Sequence, residues 1–153
     1  MLTEKQVAGL YKLYSNDIEK FVSDFFGDHL SVAVADFHRE IYSLLMAEKR
    51  LAIAAPRGFA KSYLCSTFYP LHQALFEQKK DIYLISASEG LAVQWLRKIR
   101  FELENNHCLL AFFGDLRSEK WTETHLVLNN KTKTNIMARG ADAQIRGYRP
   151  DLI

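Results

Sequence analysis

AAPRGFAKS, residues 54–62, is the stretch on which the fold turns. It approaches the phosphate-binding pattern G-x-x-x-x-G-K-[ST], with Ala55 and Ala60 where the pattern has its two glycines. Such a loop works because successive backbone N–H groups and the start of the following helix point at one anion, while the lysine adds a mobile positive charge. Gly58 remains, and alanine is the smallest residue with a Cβ, so both substitutions are tolerable where those positions avoid positive φ. The candidate nucleotide-binding residues are therefore Pro56, Arg57, Gly58, Phe59, Ala60, Lys61 and Ser62. Lys61 would reach the β- and γ-phosphates of ATP, and the Ser62 hydroxyl would sit on Mg2+. Arg57 would lie near developing γ-phosphate charge, as a catalytic arginine beside Lys61. The plainer readings are that AKS simply begins a helix and that Arg57 is an exposed arginine next to a proline.

The flanking patterns predict strand, loop, helix. RLAIAAP (residues 50–56) is short, apolar and stopped by proline, as in a buried strand. From residue 61 to about 77, Leu64, Phe68, Leu71 and Leu75 follow helical spacing, and Pro70 kinks or divides that helix. DIYLISAS (81–88) reads as a second strand, followed by a helix with Ala92, Trp95, Leu96, Ile99 and Leu103 on one face, which completes a parallel βαβ unit. THLVLNN and KTNIMARG flank a turn at Asn129, Asn130 and Lys131, a hairpin for which Trp121 is the anchoring aromatic. RPDLI (149–153) begins another apolar strand. Upstream, Val7, Leu10, Tyr14, Ile18, Phe21, Val22 and Phe25 mark one amphipathic helix. Phe37, Ile41, Leu44 and Leu45 mark a second, with Asp36 as its N-cap.

The bulk numbers bound the function. A chain of 153 residues with 48% hydrophobic and 25% charged residues is a folded single domain, not a disordered segment. Its net charge of +2 does not announce a nucleic-acid binder, so DNA contact has to be argued from elsewhere. Cys65 and Cys108 have no metal-ligand spacing, which fits a reduced compartment. No signal peptide and no membrane-length apolar run is present, so the expected location is the cytoplasm, with no membrane partner.

Several blocks in order resemble the ATPase domain of phage terminase large subunits, the motors that pump DNA into empty capsids. FHREIYSLLMAEKRLAIAAPRGFAKS is similar to the start of that domain, IYLISASEGLAVQWLRKIRFELENN to its next strand and helix, and IRGYRPDLI to the approach to its acidic strand. The family often lacks glycine at these loop positions and carries an arginine four residues before the lysine, as Arg57 stands to Lys61. The resemblance implies an α/β P-loop NTPase of the RecA-like (ASCE) class, an incomplete parallel sheet flanked by helices. An N-terminal helical segment (1–49) would lead into a partial ATPase domain (50–153). It assigns Arg57 to the γ-phosphate, and Lys61 and Ser62 to phosphate and Mg2+. It places His38 where the family has an adenine-recognising residue, although a histidine at the polar start of a helix is an equal reading. Ser88 would face or couple to DNA, or cap the next helix. Arg139, Arg146 and Arg149, with Gly140 and Gly147, would meet phosphate of DNA or of a neighbouring subunit's nucleotide, or form a solvated connection.

The implied partners are double-stranded DNA, the terminase small subunit, the portal and a homo-oligomeric ring, in a bacterial host cytoplasm. In the family an acidic pair follows RPDLI, one carboxylate organising Mg2+ and the other activating water. The sequence as written ends before it, so a hydrolysis-deficient fragment is expected. The alternatives are a helicase-like DNA translocase fragment and a non-catalytic truncated prophage remnant.

Overall fold

A computed structural model describes residues 3–27, 34–142 and 149–153. The chain divides into two compact units, Met1–Cys65 and Ser66–Ile153.

In the first unit, Thr3 caps α1 (Glu4–Asn16) reciprocally with Gln6: its hydroxyl accepts the Gln6 N–H at 3.3 Å, and Gln6 Oε1 accepts the Thr3 N–H at 2.8 Å. Asp17 then turns extended, and its carboxylate accepts the Lys20 N–H at 2.9 Å, starting α2 (Ile18–Phe26). The single helix predicted here is thus two, because a short polar side chain competes with the helix for backbone donors. Burial follows the second helix: Ile18, Phe21, Val22, Phe25 and Phe26 are buried, whereas Val7 is exposed. The third helix, α3 (Asp36–Ala47), buries Ile41 and Tyr42. Its N-cap is Ala35 and not Asp36, which sits in the first turn and pairs with Arg39 at 2.8 Å. Arg39 also reaches Glu19 at 2.9 Å, tying α3 to α2.

Residues 50–56, predicted as a buried strand, carry no regular secondary structure, and Leu51 is exposed. Three of these residues are alanine and only Ile53 is β-branched, so the run has little side chain to pack on a pleated surface. Beyond the loop the helix is broken, as Pro70 suggested. A three-residue turn, α4 (Lys61–Tyr63), passes into a π-helical turn (Leu64–Phe68) and then into α5 (Tyr69–Leu75), with Pro70 in its first turn. Pro70 has no N–H to give, and its ring crowds the carbonyl four residues back; the widened turn relieves both.

The second unit is mixed α/β, with a four-stranded sheet in the order β1-β4-β3-β2 flanked by helices. Its strands are β1 (Asp81–Ser86), β2 (Arg117–Trp121), β3 (His125–Leu128) and β4 (Asn135–Gly140). Among these four strands only β1 and β4 run parallel, in register from Asp81 opposite Asn135 to Ser86 opposite Gly140. The predicted hairpin is β3–β4, and β2 adds antiparallel to it. The sheet is therefore mixed and not parallel, because a hairpin connection reverses the chain. The predicted strand at RPDLI is begun: Leu152 bridges Ile82 in parallel, and Tyr83 N–H donates to the Leu152 carbonyl at 2.9 Å.

One face of the sheet (Ile82, Leu84, Leu126, Leu128, Ile136, Ala138) is buried and packs on α6 (Glu89–Asn105), whose Ala92, Leu96, Ile99 and Leu103 supply the other half of the core. Trp95, expected on that face, is half-buried and holds Lys98 Nζ 4.1 Å above its ring. Trp121 anchors β2 to α6 by donating its indole N–H to Glu104 at 2.7 Å. A further helix, α7 (His107–Phe113), is capped by Asn106, whose side chain accepts the Cys108 and Leu109 N–H groups. Among the described residues no helix is long and apolar enough to cross a membrane.

The opposite face carries a polar chain along the sheet. Asn135 donates to Asp81 Oδ1 at 3.0 Å, which leaves its own oxygen to accept His125 Nε2–H at 3.0 Å. Burial pushes the His125 imidazolium to a lower pKa; Lys120 and Arg139 push the same way, while the Asn135 bond and Asp81 oppose. The unfolded chain, with His near its ordinary value of about 6.5, then binds the proton more readily than the folded one. This contribution to stability is complete above that value and is lost as pH falls through it towards the lower folded value. Thermal melts of His125→Gln against wild type are expected to show a smaller loss of Tm on acidification between about pH 7 and 5. Parallel losses would remove His125 as the source.

Candidate nucleotide-binding loop

Two left-handed residues shape the loop: Gly58 at φ +86° and Ala60 at φ +52°. The sequence condition that the alanines avoid positive φ is not met at Ala60. An L-residue there is disfavoured by about 1–2 kcal/mol, and Ala60 holds the conformation as the N-cap of α4, its carbonyl accepting from Tyr63 and Leu64 at 2.9 and 3.1 Å. Ala60→Gly should therefore stabilise the fold by about 0.5–1 kcal/mol once the added freedom of the unfolded chain is subtracted, seen as a higher melting temperature. A lower Tm in a thermal melt would mean that the left-handed turn is not populated.

The loop curls on itself. Lys61 Nζ donates to the Pro56 carbonyl at 3.3 Å, closing a ring of residues 56–61. Within and just after it, among the described residues, the backbone N–H groups of Gly58, Phe59, Ala60, Lys61 and Ser62 have no acceptor. Residues 56–60 and Ser62 are exposed, and the Ser62 hydroxyl has no protein partner among the described residues. Consecutive amides running through a left-handed position form a concave donor surface for an anion. Arg57 is exposed and makes no ion pair among the described residues. Cys65 lies one turn on; burial pushes its thiol up, and the Lys61 charge works the other way.

From α3, His38 reaches the same loop. Ala35 N–H donates to His38 Nδ1 at 3.2 Å, and His38 Nε2 lies 3.3 Å from the Phe59 carbonyl. The Phe37 ring meets Phe59 edge-on at 4.9 Å. His38, Pro56, Phe59, Ala60 and Lys61 thus form one constellation within the first unit. Two of its contacts were missed by sequence reasoning, Phe37 against Phe59 and the Lys61 return to Pro56. Helical spacing placed Phe37 with Ile41 and gave no sign of a partner outside its own helix.

Of the other sequence candidates, Ser88 and Arg139 belong to the second unit. Ser88 caps α6, accepting the Leu91 N–H at 3.4 Å. Arg139 is half-buried in β4 and donates to the Ala138 carbonyl at 3.4 Å. Gly140, expected in a solvated connection, is buried at the end of β4, where a Cβ would stand 3.0 Å from the Glu89 nitrogen. Arg149 is exposed, and Arg146 and Gly147 lie outside the described residues. Among the described residues no cluster of three or more His, Cys, Asp or Glu side chains could hold a metal ion. Compared with known proteins, the chain matches no family model, and no curated protein matches it.

Proposed function

We propose that the chain is the ATP-binding part of a phage terminase large subunit, a motor that drives double-stranded DNA into procapsids. The observation that carries the reading is the run of N–H groups from Gly58 to Ser62, without acceptors among the described residues, with the Lys61 ammonium held at the Pro56 carbonyl beside them. These donors suit a phosphate chain, and Lys61 need only leave the Pro56 carbonyl to reach it. The Ser62 hydroxyl, without a protein partner among the described residues, fits a Mg2+ ligand. An ion held there would supply charge screening for the phosphates. Arg57, exposed in the loop, is the group for γ-phosphate charge. Double-stranded DNA, a small subunit, a portal and a ring of copies, in a bacterial host cytoplasm, are the partners and setting of this proposal, and a P-loop NTPase sheet is its fold.

Calorimetric titration with ATP, in Mg2+ and again in EDTA, tests it. Binding is expected in both, tighter with Mg2+, and Ser62→Ala should remove most of that difference. No heat at millimolar ATP would end the proposal. One observation favours a second reading, a chain that holds nucleotide weakly or not at all: residues 50–56 form no strand, and α4 has three residues before the π turn. A phosphate loop held by neither a strand nor a long helix is less rigid, and pre-organisation sets much of the affinity.

A further inference from the structure

We propose that His38 is a positioning residue of the loop, one that fixes the Phe59–Ala60 peptide so that the Ala60 N–H is presented to phosphate, and not a group that reads the base. Its ligand rests on the nucleotide reading above; its geometry does not. Because Ala35 N–H donates to Nδ1, that nitrogen is an acceptor, and the imidazole proton sits on Nε2, facing the Phe59 carbonyl at 3.3 Å. Both ring nitrogens are engaged by backbone, which leaves no polar edge for adenine. In a planar trans peptide the C=O and the following N–H point in opposite directions. Holding the Phe59 oxygen towards α3 therefore turns the Ala60 N–H the other way, and that N–H has no acceptor among the described residues. The same bond restrains the peptide that leads into Ala60, at φ +52° a conformation its Cβ disfavours. The Phe37 ring, 4.9 Å from Phe59, backs the same turn.

The two roles separate with a ligand that has no base. The full chain is titrated with MgATP and with inorganic tripolyphosphate, as wild type, His38→Ala and His38→Gln. A positioning role predicts that His38→Ala weakens both ligands by the same factor, about five- to tenfold for one hydrogen bond. His38→Gln should bring both back to within about threefold of wild type, because glutamine can accept the Ala35 N–H in a capping box and still offer a donor to Phe59. A loss confined to ATP, with tripolyphosphate unchanged, would make His38 a base reader and overturn the proposal; so would two unchanged affinities. If wild type binds neither ligand, the nucleotide reading fails, and long-range proton–nitrogen spectra of the ligand-free chain still decide the latch. The Nε2–H tautomer supports it and the Nδ1–H tautomer overturns it, with no variant required to fold.

Discussion

Lys61→Ala is expected to weaken MgATP binding by about 10- to 150-fold while leaving the melting temperature close to that of wild type. The affinity figure follows from about 1.5–3 kcal/mol for a hydrogen bond to a charged group, at about 1.4 kcal/mol per tenfold. The small effect on stability follows from the environment of Lys61. Its side chain is half-exposed, and its one hydrogen bond among the described residues goes to the Pro56 carbonyl, in a loop whose neighbours are open to water. Surface substitutions of this kind fall within about 0.5 kcal/mol. Titration calorimetry and a thermal melt on the same preparation separate the two effects. Full-strength binding by the alanine variant would remove nucleotide from this loop. A large drop in Tm would instead make Lys61 a structural strut whose bond to Pro56 holds the loop closed.

How far the sequence discloses this arrangement depends on whether a residue's role is local. The strand at β1, helix α6 and the β3–β4 hairpin are legible because each carries its own period and its own turn residues. RPDLI reads as the start of a strand from its apolar end, but its pairing with Ile82 is not legible, because no local pattern names a partner. Residues 50–56 are not: apolarity alone does not separate a strand from an extended connection when the run is mostly alanine. Asp17 splits one apparent helix because its carboxylate caps Lys20, a choice that hydrophobic spacing does not encode. Gly140 looks like loop composition, yet it is glycine because the Glu89 backbone is 3.0 Å from where its Cβ would be. In the loop, Lys61 and Ser62 follow from the pattern and Ala60 contradicts its steric rule. His38 lies 21 residues before Phe59, so no spacing rule joins them; the tie needs the fold of the first unit.

That dependence gives the largest stability effect expected in the chain. Phe21→Ala should destabilise the Met1–Cys65 unit by about 3–5 kcal/mol, the range for deleting a buried phenylalanine side chain. Phe21 is fully buried, with ring centroids 5.0 Å from Phe25 and 5.6 Å from Phe26, so its removal takes away transfer energy and the contacts of two other rings. Phe101→Ala, at a side chain 56% exposed, is the control and should stay within about 0.5 kcal/mol. Urea denaturation followed by hydrogen exchange over residues 4–47 reads the difference. The consequence for the site runs through α2, which touches α3 and holds it by the Glu19–Arg39 pair, and α3 carries His38 to the loop. Phe21→Ala therefore loses nucleotide affinity in proportion to the unfolded fraction, and saturating MgATP should recover part of its stability by mass action. Lys61→Ala has the opposite signature, with lost affinity, intact helices and no lost stability for ligand to restore. A Phe21→Ala midpoint equal to wild type would mean that the three phenylalanines do not form the packed centre of this unit, and the route from α2 to the loop would fall with it.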